Sequence, residues 1–159
     1  MRSFFTTIAA LVTTATFALS AEAWTTDYEA AKTRAKAENK PIFLYFTGSD
    51  WCGWCKKMEK EILTNKEFLD YATANLILVE LDFPKSDEGK AKQSAELKAQ
   101  NKALDKQFKI EGYPTIYLVD ATGEQLPGTG DLAVEENTKD GPAGFAKAIQ
   151  AALTSKKSE

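Results

Sequence analysis

Five apolar residues in a row, Ile42-Phe43-Leu44-Tyr45-Phe46, stand between Pro41 and Gly48. No polar residue alternates with them, and the run is short and rich in aromatics, so it reads as a strand buried on both faces. Such a strand needs a layer of structure on each side of its sheet. A second run, Leu76 to Phe83, is apolar at first and alternates near its end, and Thr115 to Val119 forms a third. Asp120-Ala121-Thr122-Gly123 is a turn signal, so a short fourth strand around Glu124 to Leu126 is expected to close a hairpin.

Helical patterns fill the gaps. Thr26-Asp27-Tyr28-Glu29 has the form of a capping box, a hydroxyl followed three residues later by a glutamate. Tyr28, Ala31 and Ala35 follow at helical spacing, and Asn39 before Pro41 ends that helix. Cys55, Met58 and Ile62 form an inward stripe on a second helix. Thr64-Asn65-Lys66-Glu67 is a second capping box, opening a short helix with Phe68, Leu69 and Ala72 inside. From Lys85 to Lys106 the chain is polar and helix-prone, with Leu97, Leu104 and Phe108 as its inward contacts. Phe145, Ile149 and Leu153 mark a final amphipathic helix. Strands separated by helices imply a right-handed parallel crossover, and the closing hairpin makes the sheet mixed. The expectation is one α/β domain with helices on both faces.

The ends and the composition narrow the function. Arg2, the apolar and small residues from Phe4 to Leu19, and Ala21-Glu22-Ala23 together have the form of an export signal with an A-x-A cleavage site. Residues 1–23 are therefore expected to be a signal peptide and 24–159 the mature domain, periplasmic or secreted. The stretch is short and threonine-rich for a membrane span. Both cysteines lie far from the cleavage site, so no lipid anchor is expected on the mature form. A net charge of −3 without a basic block argues against nucleic acid as a partner. The chain has no histidine, which removes imidazole as base, metal ligand or pH switch.

The two cysteines of the chain, Cys52 and Cys55, stand three positions apart in Gly48-Ser49-Asp50-Trp51-Cys52-Gly53-Trp54-Cys55. Three readings compete. Structural zinc takes four ligands, and neither histidine nor further cysteine completes the set. A purely structural disulfide across so short a loop removes little chain entropy, since that stabilisation grows with loop length. A redox couple explains the placement: positions i and i+3 share a helix face, close enough for a bridge to form and to open. At a helix start, free N–H groups and the helix dipole favour a thiolate at the first cysteine, with the second more sheltered. Lys56 and Lys57 lie one turn later and are positioned to add positive potential.

Trp51-Cys52-Gly53-Trp54-Cys55-Lys56 directly after a buried strand, with Gly112-Tyr113-Pro114-Thr115 about sixty residues later before another, resembles the thioredoxin superfamily. Asn39-Lys40-Pro41 leading through Phe46-Thr47-Gly48-Ser49-Asp50 into the motif is similar to its exported single-domain branch. The resemblance covers residues 24 to 153 and implies a thioredoxin fold with a mixed sheet of about four strands. It implies that Cys52 is the nucleophile and Cys55 the resolving cysteine of a thiol–disulfide oxidoreductase. It also implies a cis Tyr113–Pro114 bond facing them, with Trp51, Gly53, Trp54, Tyr113 and Pro114 as the substrate platform. No Gly-rich βα fingerprint for a nicotinamide or flavin is present. The expected cofactor is none beyond the Cys52–Cys55 disulfide, and no metal site is expected. The partners implied are protein substrates carrying disulfides or thiols and a separate electron donor or acceptor protein.

Two departures from the family stand out. Relatives carry a buried aspartate on the strand before the motif; here the position falls on Tyr45 or Phe46, leaving Glu80, Asp82 or water to take the proton of Cys55. The Gly53-Trp54 dipeptide matches neither the Gly-Pro of reducing thioredoxins nor the Pro-His of strong oxidases. A rival reading therefore stands beside the enzyme: a thioredoxin-fold binding or copper-handling chaperone module whose cysteines do not turn over.

Overall fold

The structure, a computed structural model, describes residues 23–127 and 129–155. All but the last residue of the expected signal segment lies outside them. The central run forms β2 (Ile42–Thr47), and every one of its side chains is buried. Its neighbours explain why: β3 (Ile77–Asp82) pairs with it in parallel and β4 (Thr115–Val119) antiparallel. The outer partner of β3 is a two-residue strand, β1 (Trp24–Thr25), also parallel, giving the sheet order β1-β3-β2-β4.

This fourth strand is not the one the turn signal predicts. The segment after Gly123 forms an isolated bridge from Val119 to Gln125, flanked by bonds from the Asp120 N–H to the Glu124 carbonyl and from the Leu126 N–H to the Leu118 carbonyl. Gly123 sits at φ 92°, and a side chain there would run into the Tyr28 hydroxyl. The chain is thus held in a tight turn that leaves β4 before a ladder can extend.

Two apolar layers cover the sheet. On one face α1 (Tyr28–Glu38) and α5 (Ala95–Phe108) place Tyr28, Ala31, Ala35 and Leu104 against Ile42, Leu44, Phe46, Val79 and Leu81. On the other lie α2 (Gly53–Met58), α3 (Lys66–Asn75) and α7 (Gly141–Ser155). Their Met58, Phe68, Ala72, Phe145 and Ile149 meet Phe43, Tyr45, Leu78, Ile116 and Leu118. Each large apolar side chain withdrawn from water contributes roughly 1.5–3 kcal/mol, so alternate residues of β2 fix both layers at once.

Both capping boxes are shifted by one residue. Asp27, not Thr26, caps α1, its carboxylate accepting the Ala30 N–H at 2.9 Å. Asn65, not Thr64, caps α3 through the Glu67 N–H. Carboxylate and amide oxygens cap at least as well as a threonine hydroxyl. The Thr64 hydroxyl donates to the Glu59 carbonyl at 2.8 Å, where α2 runs on into a π-helical turn, Glu59–Leu63. The polar stretch from Lys85 divides into α4 (Asp87–Ala91) and α5, capped by Ser86 and Ser94. Leu104 is buried, and Leu97 and Phe108 are half-buried. The short α6 (Glu135–Thr138) precedes α7.

Candidate active site

The cysteines follow from how β2 ends. The Gly48 carbonyl accepts the Cys52 N–H at 2.8 Å and the Trp51 N–H at 3.2 Å, turning the chain out of the sheet. A side chain at Gly48 would meet the Trp51 indole at 2.5 Å, so the ring can fold back only over glycine. Two carboxylates hold this turn in place. Asp82 accepts the Ser49 N–H at 2.9 Å and its hydroxyl at 2.7 Å. Asp50 accepts the Ser86 hydroxyl and the backbone N–H groups of Lys85 and Ser86. Those donors, the Ser86 hydroxyl foremost, hold the Asp50 carboxyl down at about 2.

Cys52 is the N-cap of α2, and its sulfur accepts the Cys55 N–H at 3.2 Å. The two cysteines are joined as a disulfide, their Cα atoms 5.3 Å apart. Cys55 is fully buried, and Cys52 keeps 5% of its surface. The expected contrast between an open and a sheltered sulfur is therefore narrow. The Cys52 sulfur lies 3.6 Å from the Tyr113 carbonyl oxygen, and the Tyr113–Pro114 peptide bond is cis. Turn and β4 entry, far apart in sequence, thus meet at one sulfur.

Around it lies an aromatic surface. Trp54, between the cysteines, is 71% exposed and Trp51 38%. Trp51 stands edge-on to Tyr113 with ring centres 5.6 Å apart, and Tyr113 packs on Phe83 at 5.3 Å. The Trp51 indole N–H donates to the Phe83 carbonyl at 2.8 Å, and the Lys85 ammonium sits 3.5 Å above its ring. Gly53 and Gly112 are exposed beside the cysteines, and Pro114 is half-buried. The lysines expected to support the thiolate are engaged elsewhere. Lys56 Nζ donates to the Asp50 carbonyl at 2.9 Å, and Lys57 lies over the Trp54 ring.

Behind Cys55 is a polar pocket that the strand pattern conceals. Tyr45, not Phe46, is the β2 residue facing α2. Its hydroxyl lies 3.4 Å from the Cys55 carbonyl and 3.2 Å from Glu59 Oε1. The Thr47 hydroxyl donates to the same Glu59 oxygen at 3.2 Å. Glu80 is the register partner of Tyr45 on β3, and Asp82 that of Thr47. Burial, then the nearby charges of Asp82 and Glu59, push the Glu80 carboxyl up to about 7. Burial likewise raises the Tyr45 phenol well above its ordinary value. Glu80 is thus poised to hold or release a proton near neutrality, while Asp82 is committed to the Ser49 turn. Glu59 is the residue that sequence reasoning missed. Its signal was available, since it follows Cys55 by four residues and so shares its helix face. Phe83 and Lys85 gave no such signal, because a loop brings them to the motif from about thirty residues away.

Among the described residues, no group of three or more cysteine, aspartate or glutamate side chains is arranged to hold a metal ion. Nor is any helix among them long and apolar enough to cross a membrane.

A disulfide at the head of the helix that leaves the central strand of a β1-β3-β2-β4 sheet is the arrangement of the thioredoxin fold. The chain belongs to the thioredoxin-like domain family, whose model matches residues 28–134. It is 42% identical over 103 residues to the disulfide bond reductase DsbH of Chlamydia pneumoniae, covering 65% of this chain and 60% of that protein. Over 112 residues it is 30% identical to the thioredoxin-related protein DsbJ of the same organism, covering 70% of this chain and 31% of DsbJ. The match thus spans less than two thirds of each of these relatives. A solved DsbH oxidoreductase superimposes with a TM-score of 0.68 at 36% identity, covering 82% of this chain and 83% of that one. A thioredoxin from Thermus thermophilus, 17% identical with a TM-score of 0.56, covers 82% of this chain and 85% of its own and shares the fold.

Proposed function

We propose that this chain is an exported thiol–disulfide oxidoreductase that reduces disulfides of other proteins, with Cys52 as nucleophile and Cys55 as resolving cysteine. The observation that carries the reading is the different neighbours of two sulfurs that differ little in exposure. The Cys52 sulfur receives an N–H bond at a helix start beside an aromatic surface, while Cys55 is enclosed beside Tyr45 and Glu59. An N–H bond to a thiolate is charge-assisted and favours the ionised form.

In the reducing cycle, the Cys52 thiolate attacks one sulfur of a substrate disulfide. A mixed disulfide forms and the other substrate sulfur leaves as a thiolate. Cys55 then gives up its proton toward the Glu59–Glu80 carboxylates, through the Tyr45 hydroxyl or water, and attacks the Cys52 sulfur. The second substrate sulfur leaves, and the Cys52–Cys55 bridge holds the oxidised product. Two electrons have passed to the substrate, and a separate dithiol protein must return them. Trp51, Trp54, Tyr113 and Pro114 form the surface against which the substrate segment lies, with Gly53 leaving the approach open. The Tyr113 carbonyl offers an acceptor for a substrate N–H. The reductive direction rests on the likeness to a disulfide bond reductase, and export on the N-terminal segment.

The test is the reduction of insulin by dithiothreitol with and without the protein, joined to its equilibrium with glutathione. Catalysed precipitation of insulin and a potential toward about −270 mV are expected for a reductase of this type. A potential toward about −120 mV would reverse the proposed direction. An inert protein that bound copper through its cysteines would replace the enzyme with the binding module.

A further inference from the structure

A cleft of about 420 Å³ opens between the end of β3, the loop into α4 and the side of α5. One wall is Phe83, the ring that supports Tyr113 beside Cys52. Another is Asp105, which accepts the Tyr113 hydroxyl at 3.0 Å. The cleft therefore shares two side chains with the Tyr113 support and continues the aromatic surface away from the cysteines. Its floor is the buried Asn101, whose amide donates to the Asp82 carbonyl at 3.1 Å.

The rim carries Lys90, Lys98 and Lys102. Lys90 has a distant, exposed pairing with Asp87 at 3.9 Å. Lys98 and Lys102 form no salt bridge with any described residue, although they are four apart on α5, where like charges repel. Two carboxylates, Asp82 and Asp105, also line the cleft, so its charged side chains are three ammonium groups against two carboxylates, an excess of one positive. Asp82 is bonded to Ser49 through both oxygens, and Asp105 is bonded to Tyr113. Three ammonium groups around a polar floor, one step from the reacting sulfur, call for an anionic occupant.

We propose that this cleft is a subsite for acidic side chains of the partner polypeptide, placed close in sequence to the cysteine that Cys52 attacks. The proposal rests on the redox reading above and names the substrate class that reading leaves open. Steering by such a site acts on capture and weakens with salt, because exposed charges are screened over about 10 Å at 0.1 M.

Two peptide disulfides that differ only in carrying glutamate or glutamine near the cysteine separate the possibilities. At low salt the full chain should reduce the acidic peptide with kcat/KM about three- to tenfold higher, and the preference should shrink at 0.5 M salt. Lys98→Glu with Lys102→Glu should abolish or reverse that ratio. Lys147→Glu, an equal change of charge per residue on α7, should leave it. Equal rates for both peptides in the wild type, or an equal effect of Lys147→Glu, would overturn the subsite. The same peptides with serine in place of cysteine test the cleft without turnover. Acidic peptide should shift the Asn101 and Gln93 side-chain amide signals, and the glutamine peptide should not. If neither disulfide is reduced while these shifts persist, the redox reading fails and the cleft stands. If both are reduced without preference or shifts, the cleft fails and the redox reading stands.

Discussion

Cys52→Ser is expected to return disulfide reduction to the rate of the uncatalysed exchange, while Cys55→Ser stops the cycle one step later. The first substitution removes the cysteine sulfur that the structure places against the aromatic surface. A serine hydroxyl at the same N-cap accepts the Cys55 N–H equally well, so the helix start survives. The second leaves Cys52 free to attack but nothing to resolve the product. Its signature is a covalent complex: one substrate chain per protein, released by dithiothreitol and visible by mass. Activity retained by Cys52→Ser, or a complex formed through Cys55 in that variant, would reverse the assigned roles. Because Cys55 is fully enclosed, its direct attack on a protein disulfide would demand movement of α2.

The second large effect concerns Glu80 and pH. Its carboxyl is raised from an ordinary 4.5 to about 7, so between these values the native state holds a proton that the unfolded chain has released. Stability must then fall as pH rises through that window, and level off above it. The shift corresponds to a loss on the order of 3 kcal/mol. Glu80→Gln has no charge to bury and should lack this slope. Urea midpoints of the oxidised proteins, in which the cysteines do not titrate, should nearly coincide near pH 4.5. At pH 8 the glutamine variant should be the more stable. The same variant should slow release of the mixed disulfide, because Cys55 loses a proton acceptor. Parallel stability profiles for wild type and variant would show that Glu80 is not ionising within the protein as described.

Much of the architecture was legible because it rests on long apolar runs. β2, β3 and β4 announced themselves by composition, and the stripe of Cys55, Met58 and Ile62 placed the motif on a helix with that face buried. The edge was not legible. Trp24–Thr25 is too short to show a period and is recruited by β3, whereas Glu124 to Leu126 has a strand-like position but leaves the sheet after one bridge. That Cys52, Cys55, Tyr113 and Pro114 come together was legible, because motifs carry those positions. The site's proton-handling part depends on which way β2 faces. Only the register of Tyr45 with Glu80 shows that a phenol and two glutamates stand together behind Cys55.

The most direct measurement is the rate of iodoacetamide alkylation of the reduced protein against pH, with the modified residue identified by peptide mass. If the helix start and the Cys55 N–H hold Cys52 as a thiolate, alkylation should fall on Cys52. Its midpoint should lie well below 8.5, within roughly 3.5–7.5. A rate that climbs only above about pH 8, or label that arrives first on Cys55, would contradict it.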